Sequence, residues 1–342
     1  MTPREAAIIA LRGGRPEGLV PHMELEFQLT EEYLGLTALR REHLEGVRGV
    51  QRQDRLKRNA ELWVEVARRL KWNIITGLHW LAPEDQCESF GYVHELAGDT
   101  YMLSTFADGT FAIPSGANMV EFAMRIADDP GGLLEEAQRN ADGAIATVRP
   151  LIEAGAEVVF MCADYCFNDG PFFSPALFAK FVTPFLRQVV GAIKNAGAFA
   201  VKHTDGDIMP ILEQLVSTGI DGLHSLDPMA GVDIAAVRRI VGPKLCLLGN
   251  VNCAYVQAGA FDQIRDGAFY ALLHGGVDSG AYVYCTSNCI FRGVPLANYR
   301  YMLDLRERYG YPGTVEAGIV ETGADLSGAG GAVEGQARRG LW

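Results

Sequence analysis

Short apolar runs alternate with amphipathic stretches through the second half of the chain. From about residue 150 onward, each apolar run is followed by a turn with Gly, Asp or Asn and then by a stretch that ends in Gly. This alternation predicts βα units and a parallel sheet. The predicted strands are residues 157–165, 199–206, 222–227, 245–250 and 281–287. The predicted helices that follow later strands are residues 208–216, 234–241, 261–273 and 296–309.

One further helix has clear boundary signals at both ends. Ser174 and Pro175 stand at the N-cap and first-turn positions, and Gly197 supplies the stop. The sequence therefore predicts a helix across SPALFAKFVTPFLRQVVGAIKNAG.

The first half of the chain predicts a less regular arrangement. Residues 19–27 and 72–78 are typical of strands, and a charged helical region over residues 31–70 separates them. Residues 91–112 contain β-rich runs around Gly98-Asp99 and Asp108-Gly109, which indicate antiparallel ribbons and an eighth strand. The predicted fold is α/β: a single distorted (β/α)8 TIM-type barrel with an N-terminal helical extension and a β-ribbon insertion near the barrel mouth. Residues 1–311 form its catalytic domain, and the Gly-rich residues 312–342 form a flexible tail.

Composition narrows the class of protein. The 342 residues carry a formal net charge of -12, and 49% of them are hydrophobic, which is enough for a sizeable core. An acidic chain without a basic stripe does not predict binding to nucleic acid or to an anionic membrane. Apolar runs of the roughly 18 to 20 residues that span a bilayer are absent, so we expect a cytoplasmic protein. Its seven cysteines, an odd number without an export signal, are expected to be thiols.

In a barrel of this kind, side chains just past the carboxyl ends of the strands converge on one mouth. The sequence places many polar groups there. The candidates are Glu24, Glu26, Asn73, His79, Asp164, Asn168, Asp169, His203, Asp205, His224, Asp227, Asn250, Asn252, Cys285 and Cys289.

A metal site is one interpretation of these groups. His203 and Asp205 are two residues apart, so they project to the same side of a strand end. With Cys289 from the last strand's loop they give nitrogen, oxygen and sulfur donors suited to Zn²⁺ with an open fourth position. The alternative interpretation is a hydrogen-bonded acid/base pair without metal, with Cys289 as an ordinary thiol.

Other polar and aromatic residues have predicted roles at the same mouth. Glu24 and Glu26 are either catalytic carboxylates or a solvated face of the first strand. The predicted substrate contacts are His79, Tyr165, Phe172, His224 and Asn250. Dinucleotide, P-loop and serine-hydrolase motifs are absent from the sequence, so these chemistries have no support. A binding module without chemistry stays open, although so many ionisable groups favour an enzyme.

A family resemblance adds to this interpretation. The order and spacing of FNDGPFFSPALFAKFVTPFLRQVVGAIKNAGAFAVKHTDGDIMPILEQLVSTGIDGLHSLDP, LCLLGNVN and NCIFRGVPLANYRYMLD resemble the uroporphyrinogen decarboxylase superfamily over most of residues 157–310. The resemblance implies a distorted barrel and one of two chemistries: decarboxylation, or methyl transfer involving a corrinoid protein. True decarboxylases carry an RQAGR-like motif after the first strand and an aspartate in the second. Here PHMELEFQLTEEYLG follows instead, and Asn73 stands near the aspartate position.

The methyltransferase branch is the better match. Its zinc site uses His-x-Cys after one strand and a cysteine near the last; His203 and Cys289 match, and Asp205 replaces the middle thiol. A hard carboxylate in place of a thiolate suits an oxygen-bearing substrate. The resemblance thus implies the first methyltransferase of an O-demethylase system, with Zn²⁺, a small methoxylated donor such as an aromatic ether, and a corrinoid (cobalamin) carried by a partner protein. A homodimer is a further expectation.

Three other functions remain open. The first is a decarboxylase for uroporphyrinogen or another small acid, which would release carbon dioxide without cobalt. The second is a methylcobamide:thiol methyltransferase of the coenzyme M type. The third is a non-catalytic ligand-binding protein, which would bind ligand without turnover.

Overall fold

The computed structural model describes residues 1–330 as a parallel sheet surrounded by helices. The strands are β1 Ile74–Ile75, β2 Met102–Phe106, β3 Val158–Met161, β4 Cys166–Phe167, β5 Gly170–Pro171, β6 Phe199–Thr204, β7 Gly222–Ser225, β8 Cys246–Val251 and β9 Tyr282–Thr286. The helices are α1 Pro3–Leu11, α2 Thr30–Leu34, α3 Gly49–Arg69, α4 Pro83–Ala97, α5 Met119–Asp128, α6 Pro130–Glu153, α7 Pro175–Phe181, α8 Thr183–Asn195, α9 Leu212–Ser217, α10 Ile234–Val241, α11 Cys253–Ala258, α12 Phe261–Gly275, α13 Leu296–Tyr309 and α14 Val315–Thr322. Short 3₁₀ turns cover Arg41–Leu44, Gly77–Trp80, Met209–Ile211 and Pro228–Ala230.

Seven strands form one sheet in the order β1-β2-β3-β6-β7-β8-β9, and every neighbouring pair is parallel. The five strands predicted in the second half of the chain are all present, and the helices predicted at residues 234–241 and 296–309 are confirmed as α10 and α13. β4 and β5 form a separate antiparallel hairpin after β3. The α/β class and the parallel sheet are therefore confirmed.

The predicted first strand, residues 19–27, is not a regular strand. The carbonyl of Pro21 accepts a hydrogen bond from the amide of Tyr284 in β9, at 2.8 Å, and the carbonyl of His22 accepts one from the amide of Asn73, at 2.7 Å. The segment thus joins β9 to the residue before β1. A full ladder does not form, because Pro21 has no N–H and the His22 amide donates to the Asn73 side chain instead.

The predicted β-ribbon insertion is wrong. Residues 83–97 form α4, which begins with Pro83 at its first position and ends at Gly98, a residue with φ of 55°. Gly98 therefore ends a helix rather than turning a hairpin. The β-rich run after it is β2, a parallel strand between β1 and β3.

Two predicted helical features also differ. The helix after Ser174 is divided into α7 and α8 at Val182, because Pro184 has no N–H to continue the hydrogen-bond ladder. The tail predicted to be irregular contains α14, whose Val315 is buried. Residues 331–342 of that tail lie outside the described residues.

The side chains inside the curved sheet are apolar below the carboxyl ends of the strands. Val158, Phe160, Val201 and Leu248 pack together there. α1 contributes Ala7, Ala10 and Leu11 to the same cluster and lies against the amino ends of the strands. The carboxyl ends, by contrast, carry histidines and carboxylates, so the functional groups are expected at that end.

No single helix within residues 1–330 has the length and apolar character of a membrane span. One pair, Pro175–Phe181 and Thr183–Asn195, has both when its two helices, bent by 49°, are taken together.

Candidate active site at the carboxyl ends of the strands

Three side chains meet beyond the ends of β3 and β6. The Nε2 atom of His203 lies 3.8 Å from Oδ1 of Asp164 and 3.9 Å from Oδ1 of Asp205. The register explains this meeting: Met161 pairs with Lys202, so Asp164 and Asp205 each stand three residues further along neighbouring strands. The Asp205 amide also donates to Oδ1 of Asp164 at 3.1 Å.

Asp205 is held by two neighbouring side chains. Ser225 at the end of β7 donates to its Oδ1 at 2.6 Å, and Nδ2 of Asn288 donates to its Oδ2. Burial and the nearby carboxylates raise the pKa of Asp205 to about 7, although the Ser225 and Asn288 hydrogen bonds oppose the shift. The group of Asp164, His203 and Asp205 thus concentrates negative charge where a cation would relieve it.

His203 is oriented by a second histidine. Its Nδ1 lies 2.8 Å from Nδ1 of His224, which faces it in register on β7. Burial lowers the pKa of both imidazoles, so both are neutral near pH 7 and one Nδ1 donates to the other. When His203 is the donor, its Nε2 lone pair faces the two aspartates, as metal ligation requires.

Glu26 and His79 form a second pair at the mouth. Nε2 of His79 lies 3.3 Å from Oε1 of Glu26, and its Nδ1 lies 2.7 Å from the carbonyl oxygen of Thr76. Both ring nitrogens therefore face oxygen acceptors. Burial by itself raises the pKa of Glu26, but hydrogen bonds from His79 and Gln28 outweigh it and lower the pKa to about 2. Phe106 stacks on His79 with ring centroids 3.7 Å apart.

Glu24 lies below the mouth. Its side chain is buried, its Oε2 accepts a 2.6 Å hydrogen bond from Thr286, and its Oε1 has no hydrogen-bond partner among the described residues. Burial raises the pKa of Glu24 to about 8. The structure therefore separates the two predicted catalytic glutamates: Glu26 reaches the mouth and Glu24 does not.

The remaining predicted residues lie near the mouth or contact the residues that form it. Cys289 is buried near the mouth but is not a member of the group formed by Asp164, His203 and Asp205; burial raises the pKa of its thiol. Asn250 donates to the carbonyl of Leu226 at 3.0 Å, and His224 contacts His203. The roles of Asn250 and His224 as substrate contacts stay predictions.

Both predicted aromatic contacts lie in the segment between β3 and α7. The Tyr165 ring packs beneath Lys202 and against Phe178, and its hydroxyl lies 2.6 Å from Oγ1 of Thr110. Its role in substrate binding stays a prediction. Phe172 packs with Phe122 and Phe173 in the loop region after β3.

Three weaker candidates make local hydrogen bonds that stabilise the backbone around them. Asn73 lies at the amino end of β1, where it bonds the His22 amide and the Pro3 carbonyl. Asp227 and Asn252 accept hydrogen bonds from the amides two residues further on and begin the following turns.

Sequence reasoning named Asp164 as a strand-end residue but did not include it in the metal set. The order of the strands brings Asp164 to His203. β3 lies next to β6 in the sheet, and the two strands between them in sequence, β4 and β5, form a separate hairpin. Ser225 and Asn288, which hold Asp205, were also missed. Ser225 follows the neighbouring histidine by one position, but the role of Asn288 depends on a loop geometry that has no sequence signal.

Comparison with known proteins identifies the family. The sequence profile of the family described as "Uroporphyrinogen decarboxylase (URO-D)" matches residues 92–309, which is more than half of the chain. The chain belongs to the uroporphyrinogen decarboxylase family. A comparison with curated proteins found no match.

Solved structures resemble this family member in fold. A "methyltransferase from Methanosarcina mazei" is similar with a TM-score of 0.68 and 16% identity, over 90% of this chain and 98% of that chain. A D-psicose 3-epimerase from Clostridium cellulolyticum H10 gives a TM-score of 0.43 and 12% identity, over 79% of this chain and 93% of that chain. The first similarity extends along nearly the whole length of both chains, so the fold of the described residues is that of the methyltransferase.

Proposed function

We propose that this protein transfers a methyl group from a small methoxylated compound to the cobalt of a corrinoid carried by a partner protein. The observation that carries the proposal is the group of Asp164, His203 and Asp205, whose ligand atoms all lie within 4.8 Å of one another at the strand ends. The fold shared with a methyltransferase supports the same chemistry.

The residues present fit a divalent metal. Donors around a tetrahedral Zn²⁺ are about 3.4 Å apart, so small side-chain rotations bring these three atoms to ligand distance. A histidine nitrogen and two carboxylate oxygens are also a donor set that Zn²⁺ accepts. We propose Asp164, His203 and Asp205 as the ligands, with Cys289 as the neighbouring thiol. When bound, the ion would act as a Lewis acid on the ether oxygen.

The chain's own residues complete the reaction. The methyl–oxygen bond breaks, the methyl group passes to the cobalt of the partner's corrinoid, and the oxygen keeps the electron pair and takes a proton. His79, held between the carboxylate of Glu26 and the carbonyl of Thr76, is the proposed proton donor. Its stacking on Phe106 fixes the ring and offers a flat surface to an aromatic substrate.

The proposal includes the finer architecture. We propose that residues 1–311 are one catalytic domain in a closed (β/α)8-type barrel. In this barrel the segment at Pro21 and His22 takes the place of the first strand. A cytoplasmic location and a homodimer stay predictions.

The direct test is turnover with defined components. Purified protein supplied with Zn²⁺, methoxylated aromatic compounds and chemically reduced free cobalamin is expected to give methylcobalamin, followed by its absorbance, and one equivalent of the hydroxylated product. Release of carbon dioxide from a small acid without cobalt would instead establish the decarboxylase alternative. Methylation of a thiol from methylcobalamin would establish the thiol methyltransferase alternative.

A further inference from the structure

A basic surface flanks the mouth of this acidic protein. Within residues 40–58, seven of the nineteen residues are Lys or Arg and three are Asp or Glu, although the whole chain has a net charge of -12. The exposed cations of this segment, which we name the basic rim, are Arg41, Arg48, Arg55, Lys57 and Arg58.

Two contacts place the basic rim beside the candidate active site. The Arg40 guanidinium lies over the ring of Trp80, 4.1 Å from its centroid, and Trp80 adjoins the site residue His79. Arg52 pairs with the buried Asp85, at 2.7 Å, in the first turn of α4 directly beyond β1. Both contacts fix the segment at the carboxyl end of β1, on the same side as Glu26.

The cations of the basic rim have no carboxylate within 4.0 Å among the described residues. Other surface cations of the same chain do: Arg68 pairs with Glu65, and Arg125 with Glu136. Clustered cations repel one another, and an unpaired cluster is therefore a surface that gains when an acidic partner approaches.

A partly apolar groove adjoins these cations. It has a volume of about 680 Å³ and runs between residues 36–39 and α3. Leu36, Leu39 and Leu62 line it, together with Arg55 and Arg58 on the side of the basic rim and Glu61 and Glu65 further along α3. Leu36 is 54% exposed. Asn59 also lines the groove, and its Nδ2 has no hydrogen-bond partner within the described residues. Apolar anchors beside charged groups are typical of protein interfaces rather than of nucleic-acid sites.

We propose that the basic rim and its groove dock an acidic face of the corrinoid carrier protein, an inference that rests on the proposed function. The mouth presents the carboxylates of Glu26, Asp164 and Asp205, two of which are proposed metal ligands, so the attraction for an acidic partner comes from the basic rim. Attraction at one side of the mouth brings the carrier to the site, and the groove takes apolar side chains from it. Charges at the edge of an interface chiefly increase the association rate and set its salt dependence.

The test compares two acceptors for the same methyl group. Free reduced cobalamin needs no docking, whereas a purified, reduced corrinoid carrier protein does. The variant is Arg55→Glu with Arg58→Glu. Its matched control is Arg149→Glu with Arg239→Glu, which reverses two exposed helical arginines away from the basic rim. We expect KM for the carrier to rise about tenfold or more in the first variant only, with turnover of free cobalamin within twofold of wild type.

Four results overturn the proposal. An unchanged KM for the carrier shows that the basic rim does not dock it, and an equal loss with both acceptors shows a structural defect. Light scattering that finds a wild-type dimer and a monomeric Arg55→Glu/Arg58→Glu variant assigns the surface to a second copy of this chain. A wild-type protein that methylates neither acceptor refutes the proposed function itself, and the docking proposal falls with it.

Discussion

At the scale of single residues, neighbouring carboxylates perform different tasks because their surroundings differ. Glu26 is partly exposed and accepts hydrogen bonds from His79 and Gln28, so its pKa is lowered to about 2 in spite of burial. Glu24, two residues earlier, is buried and has a pKa raised to about 8. Glu26 is therefore ionised at neutral pH and accepts hydrogen bonds at the mouth, while Glu24 is largely protonated.

Asp164 tests the metal site. Asp164→Asn removes one anionic ligand, and we expect Zn²⁺ affinity to fall by about 100-fold or more, since loss even of outer partners costs about 10- to 100-fold. Isothermal titration of the metal-free protein with Zn²⁺ measures it. Asp169→Asn, an exposed carboxylate five residues further along, is the control and should bind as wild type. Equal affinity in the two variants would exclude Asp164 as a ligand.

Glu24 makes stability depend on pH. Its folded pKa of about 8 exceeds its unfolded value of about 4.5, because burial disfavours the charged form. The folded protein therefore holds a proton that the unfolded chain releases, and stability falls as pH rises from about 4.5 through 8, by up to about 5 kcal/mol.

Urea unfolding at pH 5.5 and 8.5 checks this prediction. Glu24→Gln keeps the shape of the side chain and cannot ionise. It is therefore the reference against which wild type is compared at both pH values. We expect wild type to lose several kcal/mol more than Glu24→Gln between the two pH values. Parallel behaviour of the two proteins would show that Glu24 does not titrate in this range.

At the scale of elements, one buried ion pair ties three segments together. Lys202 in β6 donates to Oδ2 of Asp108, at 2.7 Å, and to the carbonyl of Ala163, at 2.8 Å. Asp108, in the loop after β2, also accepts the Ala163 amide at 2.9 Å. Both polar groups of the residue before Asp164 are therefore fixed, which holds that aspartate toward His203.

Removing this ion pair should cost both stability and metal binding. Lys202→Met leaves the Asp108 carboxylate buried without its cation, and we expect a loss of about 3–5 kcal/mol in the free energy of unfolding. Lys194→Met is the matched control. Lys194 pairs with Asp221 at the same 2.7 Å, but its side chain is 42% exposed. We therefore expect this variant to lose less than about 1 kcal/mol in the free energy of unfolding. Urea unfolding compares them; similar losses would argue against the role of burial.

At the scale of the whole molecule, the distribution of charge separates an acidic mouth from a basic flank. The mouth contains Glu26, Asp164 and Asp205, while the flank is the basic rim of residues 41–58. Such an arrangement orients a charged protein as it approaches, over distances of about a Debye length, roughly 10 Å at 0.1 M salt.

This distribution predicts different salt dependence for the two acceptors. Between about 50 and 300 mM KCl, we expect KM for the corrinoid carrier to rise about tenfold because the attraction is screened. The rate with free reduced cobalamin should change little. Steady-state kinetics at the two KCl concentrations measures the difference. An equal change in KM for both acceptors would contradict electrostatic docking.

The sequence by itself determined the parts of this protein that depend on local patterns. The alternation of apolar runs and amphipathic stretches predicted the later strands and helices, and the spacing of His203 and Asp205 placed both on one side of a strand end. Where a local signal had two meanings, the prediction was wrong: Gly98 ends a helix instead of turning a ribbon, and Pro21 interrupts the ladder of the first strand.

Only the tertiary structure decided which strand ends meet. Asp164 joined the candidate metal group because β3 and β6 are neighbours in register, and Cys289 stayed outside it although its spacing was suitable. The separation of Glu24 from Glu26, and the pairing of His203 with His224, likewise depend on burial and on contacts between distant segments. Such contacts carry no local sequence signal, because they are set by how the parallel sheet packs as a whole.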